Sequence, residues 1–599
     1  MEAGTTPAGG TGSTTIADLC ARAAERFGDQ VAIKHKVDGT WRDVTFDEVG
    51  EIVTEIGLGL MALGLQPGER VSILCNTRPE WTYADFAISA AGGVVVPIYP
   101  TNSPEECEWV AGNSESVCVI CEDAEQVAKI VAVRDRLPAL RHLIVIDPTG
   151  DVADAISLDD VRRQGSRSDA ELLRARTEAV RPEDPFTFIY TSGTTGPPKG
   201  CILTHRNYRS VLDMVADRGL FDTGDDLVYL FLPLAHAFAL LIQLGAVDRG
   251  TAIAYYGGDT KAIVGELMEV KPTYLPSVPR IFEKLYTLAQ QQLTVEELET
   301  IRTVGGQIKD LEVRGEPVPD ELREQFAELQ PKADFVRNLF GGRLREAVTG
   351  AAPIAKEILE FFWGCGIPVL EGYGMTETST VATSSRPEEH RFGSVGRPLP
   401  GVEVKIADDG ELLIKGANIF QGYYKNADAS FGTIADGWLH TGDLGSVDDD
   451  GYVYITGRKK DIIITAGGKN LTPANLENDL KQTRWVSQAV MHGDRRPYPV
   501  MLITLDEEEI VPWAQAQGIE DTSIPALARN EQVHALIQAE LDKANAKYAQ
   551  VEQIKKFVIL DHDLSQETGE LTPTLKVKRN VVNDRYMRLF DELYRGGAE

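Results

Sequence analysis

Tyr190-Thr191-Ser192-Gly193-Thr194-Thr195-Gly196-Pro197-Pro198-Lys199-Gly200 follows the apolar, β-prone run Pro185-Phe186-Thr187-Phe188-Ile189 and precedes Cys201-Ile202-Leu203-Thr204-His205. The order reads as strand, flexible polar loop and return to structure. Glycines let a backbone come close to a ligand and aim N–H groups at it, hydroxyls add donors, and lysine adds positive charge. A polyphosphate is the ligand that uses all three. The stretch is not a Walker loop: Pro198 stands where the second glycine belongs, and Lys199 is followed by Gly200, not Ser or Thr. Taken alone it could be a surface turn with a solvated lysine, so the rest of the chain must decide.

At 599 residues the chain is too long for one core, and at least two domains are expected. Hydrophobic content of 43% and charged content of 25% are those of a soluble globular protein. Lys+Arg 60 against Asp+Glu 91 gives a net charge of −31. That argues against a nucleic-acid partner, and any site for an anion must be locally positive. The seven cysteines (Cys20, Cys75, Cys107, Cys118, Cys121, Cys201, Cys365) are odd in number and scattered, as in a reduced, cytoplasmic protein. Cys118 and Cys121 lie in an apolar run without a second pair, so they are expected in the core. Residues 1–14 read as a disordered tail and not as a signal peptide. Residues 227–247 lack Asp, Glu, Lys and Arg and are long enough to span a bilayer, but they hold Pro233, His236 and Gln243. A buried strand, loop and buried helix are expected there, with peripheral membrane contact left open.

Strands expected at 31–36, 70–75, 93–99, 117–121, 142–147, 227–232, 251–256 and 273–275 alternate with helices, which predicts an α/β fold with a largely parallel sheet. Thr45-Phe46-Asp47-Glu48 is a capping box. Residues 286–345 read as a helical excursion with a solvated face. Beyond Gly396, short strands at 402–406, 411–415 and 452–456 suggest a small antiparallel subdomain. The last 140 or so residues suit a separate α+β domain.

Several further motifs accompany the polar loop. Glu371-Gly372-Tyr373-Gly374-Met375-Thr376-Glu377 follows an apolar strand, as does Gly350-Ala351-Ala352-Pro353. Then come 436–443 (Asp-Gly-Trp-Leu-His-Thr-Gly-Asp), Gly457-Arg458-Lys459-Lys460-Asp461, Pro473 and Glu477. Together these resemble the adenylate-forming enzymes: acyl-CoA synthetases, luciferases and peptide-synthetase adenylation domains. The likeness covers nearly everything after residue 15, and the 436–461 signature resembles fatty-acyl-CoA synthetases. Ser277-Val278-Pro279-Arg280-Ile281-Phe282-Glu283-Lys284 and the 286–345 excursion are similar to the long-chain members.

The resemblance implies a large N-terminal adenylate-forming domain over 15–459, with its β subdomain from about 396, and a smaller mobile C-terminal domain over 460–599. It implies ATP, Mg²⁺ and CoA as the small molecules used. Thr191, Ser192, Gly193, Thr194, Thr195, Gly196 and Lys199 would cradle the phosphates. Gly350, Ala351, Ala352, Glu371, Gly372, Tyr373, Gly374 and Met375 would hold the adenine. Thr376 would sit near the α-phosphate, Glu377 and more weakly Thr191 would hold the metal, and Asp443 and Arg458 would bind the ribose. His236 would lie beside the acyl carboxylate, with Leu240 at the gate. Lys460 would be the hinge, and Gly467, Gly468 and Lys469 the turn brought to the thioester-forming site. In Gly569-Glu570-Leu571-Thr572-Pro573-Thr574-Leu575-Lys576-Val577-Lys578, alignment on Thr574 gives the catalytic role to Lys578, with Lys576 as runner-up. The expected activity is ATP-dependent formation of a long-chain acyl-CoA through an acyl-adenylate. Alternatives are a fatty-acyl-AMP ligase serving a carrier protein, a luciferase-like oxygenase, and a non-catalytic acyl- or nucleotide-binding protein. A dimer is left open.

Overall fold

The computed structural model describes residues 9–191, 197–219, 226–572 and 576–595. The strands Val94–Ile98 and Ser116–Cys121 are buried at every residue. Such continuous apolar runs suit a parallel sheet covered on both faces. Among the described residues they belong to an eight-stranded sheet. Its order is Gly422–Tyr423, Lys199–Thr204, Pro185–Thr191, Val94–Ile98, Arg70–Leu74, Ser116–Cys121, His142–Val145 and Ile156–Ser157. Its interior pairs are parallel, whereas Pro185–Thr191 and Lys199–Thr204 are antiparallel, with Thr191 opposite Lys199.

A nine-stranded sheet runs Arg397–Pro398, Thr383–Ser384, Val369–Tyr373, Glu346–Thr349, Tyr274–Ser277, Leu227–Leu230, Ala252–Tyr255, Val31–Val37 and Thr40–Thr45. The first strand of the chain thus pairs with a distant one, Ile33 lying opposite Ile253. Thr40–Thr45, a strand not foreseen above, forms a hairpin with it. The expected capping box is present: Glu48 N–H donates to Thr45 Oγ1 and opens the helix Phe46–Ala62.

The helix Ala237–Arg249 is buried on nearly every side, with Leu240 and Gln243 wholly enclosed. It shares one apolar core with Ile73 and Ile120 of the first sheet and Val228 and Ile253 of the second. That explains the uncharged run 227–247 without a membrane. No helix among the described residues is long and apolar enough to cross one. The excursion is helical, from Pro279–Gln290 to Gln330–Leu339, and packs Phe282, Phe326 and Phe340 into a second core. All seven cysteines are free and buried, and burial pushes the Cys118 thiol up to about 12.

A five-stranded sheet at Glu403–Ile406, Glu411–Lys415, Trp438–Val447, Ile434–Ala435 and Val453–Arg458 forms the small subdomain. The following residues build an α+β unit. The strands Val486–His492, Val500–Leu505 and Lys556–Ile559 have their own core of Leu480, Met501 and Ile537.

Residues 9–14 depart from the expected loose tail. Thr11 Oγ1 donates to Asp248 Oδ1 at 2.5 Å, and Arg209 donates to Ser13 Oγ at 2.7 Å. These polar contacts end on a buried ion pair, Arg209 Nη2 to Asp248 Oδ2 at 2.8 Å. A tail held by hydrogen bonds instead of apolar side chains leaves no hydrophobic trace in the sequence. Removing one partner of a buried pair leaves the other charge uncompensated. Asp248→Ala should therefore cost about 3 kcal/mol, read as a lowered urea midpoint for the N-terminal transition.

Candidate active site

The polar loop closes the hairpin between Thr191 and Lys199. Ser192, Gly193, Thr194, Thr195 and Gly196 lie outside the described residues. Lys199 Nζ stands 5.2 Å over the Tyr423 ring, a cation–π contact. The Tyr423 hydroxyl donates to Glu377 Oε1 at 2.7 Å, a charge-assisted bond. Burial and the Glu377 charge raise the Tyr423 hydroxyl far above its ordinary pKa, so it stays a donor. Thr191 Oγ1 is 4.0 Å from Cys201 Sγ, and burial and Glu377 together raise the Cys201 thiol. Thr191, Lys199 and Glu377 thus converge on one spot, joined by Tyr423, which the sequence reading missed. No period or motif marks it, because Gly422–Tyr423 reaches the site by pairing with Cys201 and Ile202.

Glu377 is a buried carboxylate beside a hydroxyl. No group of three or more His, Cys, Asp or Glu that could hold a metal occurs among the described residues. That donor set fits a magnesium ion, which keeps several waters and takes further oxygens from phosphates.

The segments 350–353 and 371–377 leave neighbouring strands, with Thr349 opposite Glu371. A Cβ on Gly350 would lie 3.0 Å from Gly372 O. Ala351 has φ +68°, a left-handed conformation that turns the chain sharply out of the strand. Ala351 and Ala352 are exposed, as walls of an open cleft are. Beyond Tyr373, a Cβ on Gly374 would meet Thr380 O at 2.1 Å, so only glycine fits. Ser379 and Thr380 follow with φ +49° and +95°. Backbone strain of this kind is held in place by its surroundings. Here Thr380 Oγ1 donates to Ala237 O at 2.8 Å, tying the turn at Met375 and Thr376 to the helix that begins after His236. Glu371 is nearly enclosed, and burial raises its carboxyl to about 7, against the Gly393 N–H, which lowers it.

Tyr373 donates its hydroxyl to Asp443 Oδ2 at 2.6 Å, and Arg458 Nε donates to Asp443 Oδ1 at 2.9 Å. Asp443 and Arg458 are cross-strand partners, which sets their distance. A carboxylate has about four acceptor positions, so two remain for hydroxyls of a ligand. Gly457 packs against the start of the next unit, where a Cβ would lie 2.4 Å from Thr472 Cγ2.

His236 caps its helix: Nδ1 accepts the Phe238 N–H at 3.2 Å, so the neutral ring carries its proton on Nε2. Burial, and then the Lys576 charge, push its pKa down to about 4. Leu240 follows one turn later and is fully buried.

The two candidate lysines are placed differently. Lys576, not Lys578, is the C-terminal lysine whose charge acts on His236. Its own pKa is lowered by burial and by Arg458, with Asp443 opposing. The Lys576 side chain as a whole is exposed. The loop that presents it is tight: Thr572 N–H donates to Lys576 O at 2.8 Å, Lys576 N–H to Thr572 Oγ1 at 3.0 Å, and Leu571 bridges Val577. Lys578 instead leads into the helix Arg579–Arg595, its N–H bonded to Glu570 O at 2.7 Å. Thr574, on which the alignment rested, lies outside the described residues. Next to Lys578, Arg579 Nη2 donates to Glu477 at 2.7 Å, so the signature Glu477 anchors this segment from below. Lys460 is exposed in the turn Lys459–Asp461. The turn with Gly467, Gly468 and Lys469 is also exposed, and Lys469 pairs with Glu552 at 3.2 Å within the C-terminal unit.

His236 should remain neutral well below its ordinary pKa of 6.5. An NMR titration of its ring should give a midpoint near 4. Because the folded value is depressed, the stability it contributes is complete above pH 6.5 and falls as the pH drops from 6.5 towards 4.

The AMP-binding enzyme family matches residues 20–424, and the AMP-binding enzyme C-terminal domain matches residues 460–598. The chain is 40% identical over 575 residues to the long-chain-fatty-acid–CoA ligase FadD15 of Mycobacterium bovis, with 94% of each chain covered. It is 32% identical over 631 residues to the long-chain-fatty-acid–CoA ligase ACSBG2 of Gallus gallus, covering 97% of this chain and 81% of that one. The same fold is seen in the anthranilate CoA ligase AuaEII in complex with anthranoyl-AMP, with TM-score 0.75, 22% identity, and 96% and 98% of the two chains covered. An adenylation domain of a carboxylate reductase from Mycobacterium chelonae gives TM-score 0.76 at 20% identity, over 98% and 92% of the chains. With both of its parts matched, the chain belongs to the AMP-binding, adenylate-forming enzyme family.

Proposed function

We propose that this chain converts a long-chain fatty acid to its acyl-CoA in two steps at the cleft between the nucleotide and acyl residues. The observation that carries this reading is the position of Lys576. It brings a C-terminal cation to His236 on the acyl side and to Asp443 and Arg458 on the nucleotide side. The substrate class rests on likeness to relatives named as long-chain-fatty-acid–CoA ligases.

A carboxylate is a poor electrophile, so a leaving group must be attached first. In step one a carboxylate oxygen of the acid bonds to the α-phosphorus of ATP and pyrophosphate leaves. Lys576 and the N–H groups of the 191–200 loop would stabilise the charge that builds on the phosphate oxygens, Lys199 holding the outer phosphates. Glu377 and Thr191 would hold a Mg²⁺ ion, which supplies charge neutralisation on the phosphates. Asp443 and Arg458 would fix the ribose while the Tyr373 ring lies along the adenine. Neutral His236 would orient the acid by its Nε2–H without adding a competing charge. In step two the thiol sulfur of CoA bonds to the acyl carbonyl carbon, AMP leaves and the thiol proton passes to solvent. Lys576 must move aside for the thiol, which calls for rotation about Lys460 and would bring Gly467, Gly468 and Lys469 towards the cleft. A fatty-acyl-AMP ligase would stop after step one.

ATP–pyrophosphate exchange across fatty acids of increasing length, repeated with CoA and a thioester readout, tests the reading. Exchange peaking with long acids and thioester on adding CoA is expected. Exchange without thioester would point to the acyl-AMP ligase, and no exchange with any acid would refute both. Lys576→Ala should reduce exchange by about 100-fold or more while sparing thioesterification of supplied acyl-adenylate. Lys578→Ala should leave exchange within a few-fold of wild type.

A further inference from the structure

The segment Ser277-Val278-Pro279-Arg280-Ile281-Phe282-Glu283-Lys284 has no role in the chemistry above. Its helix, Pro279–Gln290, starts with Pro279 and turns Phe282, Leu285 and Ala289 into the second core. Arg280, Glu283 and Lys284 are spaced i, i+3 and i+4, so they share one face of the helix. That face meets the C-terminal unit. Arg280 pairs with Asp506, and Lys284 Nζ lies 3.2 Å from Glu508. Burial raises the Glu283 carboxyl, and the charges of Arg280 and of Lys481, the last residue of the helix Pro473–Lys481, oppose that. Two cations on one helix face therefore meet two carboxylates of the other unit.

Asp506 has a second task. Its side chain accepts the Glu508 N–H and caps the helix Glu507–Ala516, which follows directly from the strand Val500–Leu505. Val500 and Leu502 share a small core with Leu571 and Val577, the residues that bridge at the base of the Lys576 loop. Holding Asp506 thus holds the strand against which the Lys576 loop packs. Two ion pairs on one helix orient the contact as well as attract.

We propose that Arg280 and Lys284 are positioning residues: an ionic dock that holds the C-terminal domain where Lys576 enters the cleft, and lets go when that domain turns. The proposal rests on the two-step reading above. Each exposed pair is weak, which suits a contact that must break in every cycle. Its strength should fall with ionic strength, since solvent-exposed pairs are screened.

The test uses the full chain with Arg280→Glu/Lys284→Glu, both exposed positions, and the exchange Lys284→Glu with Glu508→Lys. Three readouts are taken: pyrophosphate exchange, thioesterification of supplied acyl-adenylate, and the distance between fluorophores placed on the two domains of the ligand-free protein. The double reversal should lower exchange by about tenfold, leave thioesterification unchanged or faster, and lengthen the mean inter-domain distance. Lys284→Glu with Glu508→Lys should recover exchange lost by Lys284→Glu alone. Equal loss of both half-reactions, or an unchanged inter-domain distance, would overturn the dock. If the wild type shows no exchange with any acid, the two-step reading fails, and the fluorophore distance still decides whether the ionic contact holds the domains.

Discussion

The carboxylate of Asp443 is the contact on which the site depends. It takes a hydrogen bond from Tyr373, at the end of a strand of the nine-stranded sheet, and another from Arg458, on the last strand of the small β subdomain. It also opposes the pKa depression of Lys576. Three parts of the chain thus meet at one side chain that is 7% exposed. A buried carboxylate without partners would be costly. The donors around it therefore stabilise the meeting of the three parts as well as the shape of the site.

Behind this junction stands the helix Ala237–Arg249, charged only at its last two residues and enclosed by both sheets. Its first turn is bound through Ala237 O to Thr380, on the strained turn that follows the nucleotide motif. That bond links the turn and the helix through protein, and close packing makes such a link stiff. Against a net charge of −31, Lys199 stands over the Tyr423 ring, and Arg458 pairs with Asp443.

In the C-terminal unit a chain of hydrogen bonds supports the segment that carries Lys576 and Lys578. Glu477 holds Arg579, Glu570 takes the Lys578 N–H, and Thr572 closes the loop on Lys576. Lys576 and Lys578 are two residues apart, and pattern matching cannot separate them. What separates them is that the chain enters its last helix at Arg579, which draws Lys578 to the helix start, whereas Lys576 pairs with Thr572.

Much of this was legible in the residues. Local chemistry announces itself locally: the polar loop between Thr191 and Lys199, the capping box at Thr45, the all-apolar strand at Ser116–Cys121, and the glycine turn at Gly374 each follow from side chains a few positions apart. The α/β fold, the buried reading of 227–247 and the family follow from such signals taken together. Tertiary structure alone decided the pairing of Ile33 with Ile253, the clasp of Thr11 on Asp248, and the bridge of Tyr423 between Lys199 and Glu377. Each of these is a contact between residues far apart in the chain. A hydrogen bond or ring contact of a few ångströms leaves no period in the sequence, because its partner is chosen by how the sheets pack and not by what lies beside it.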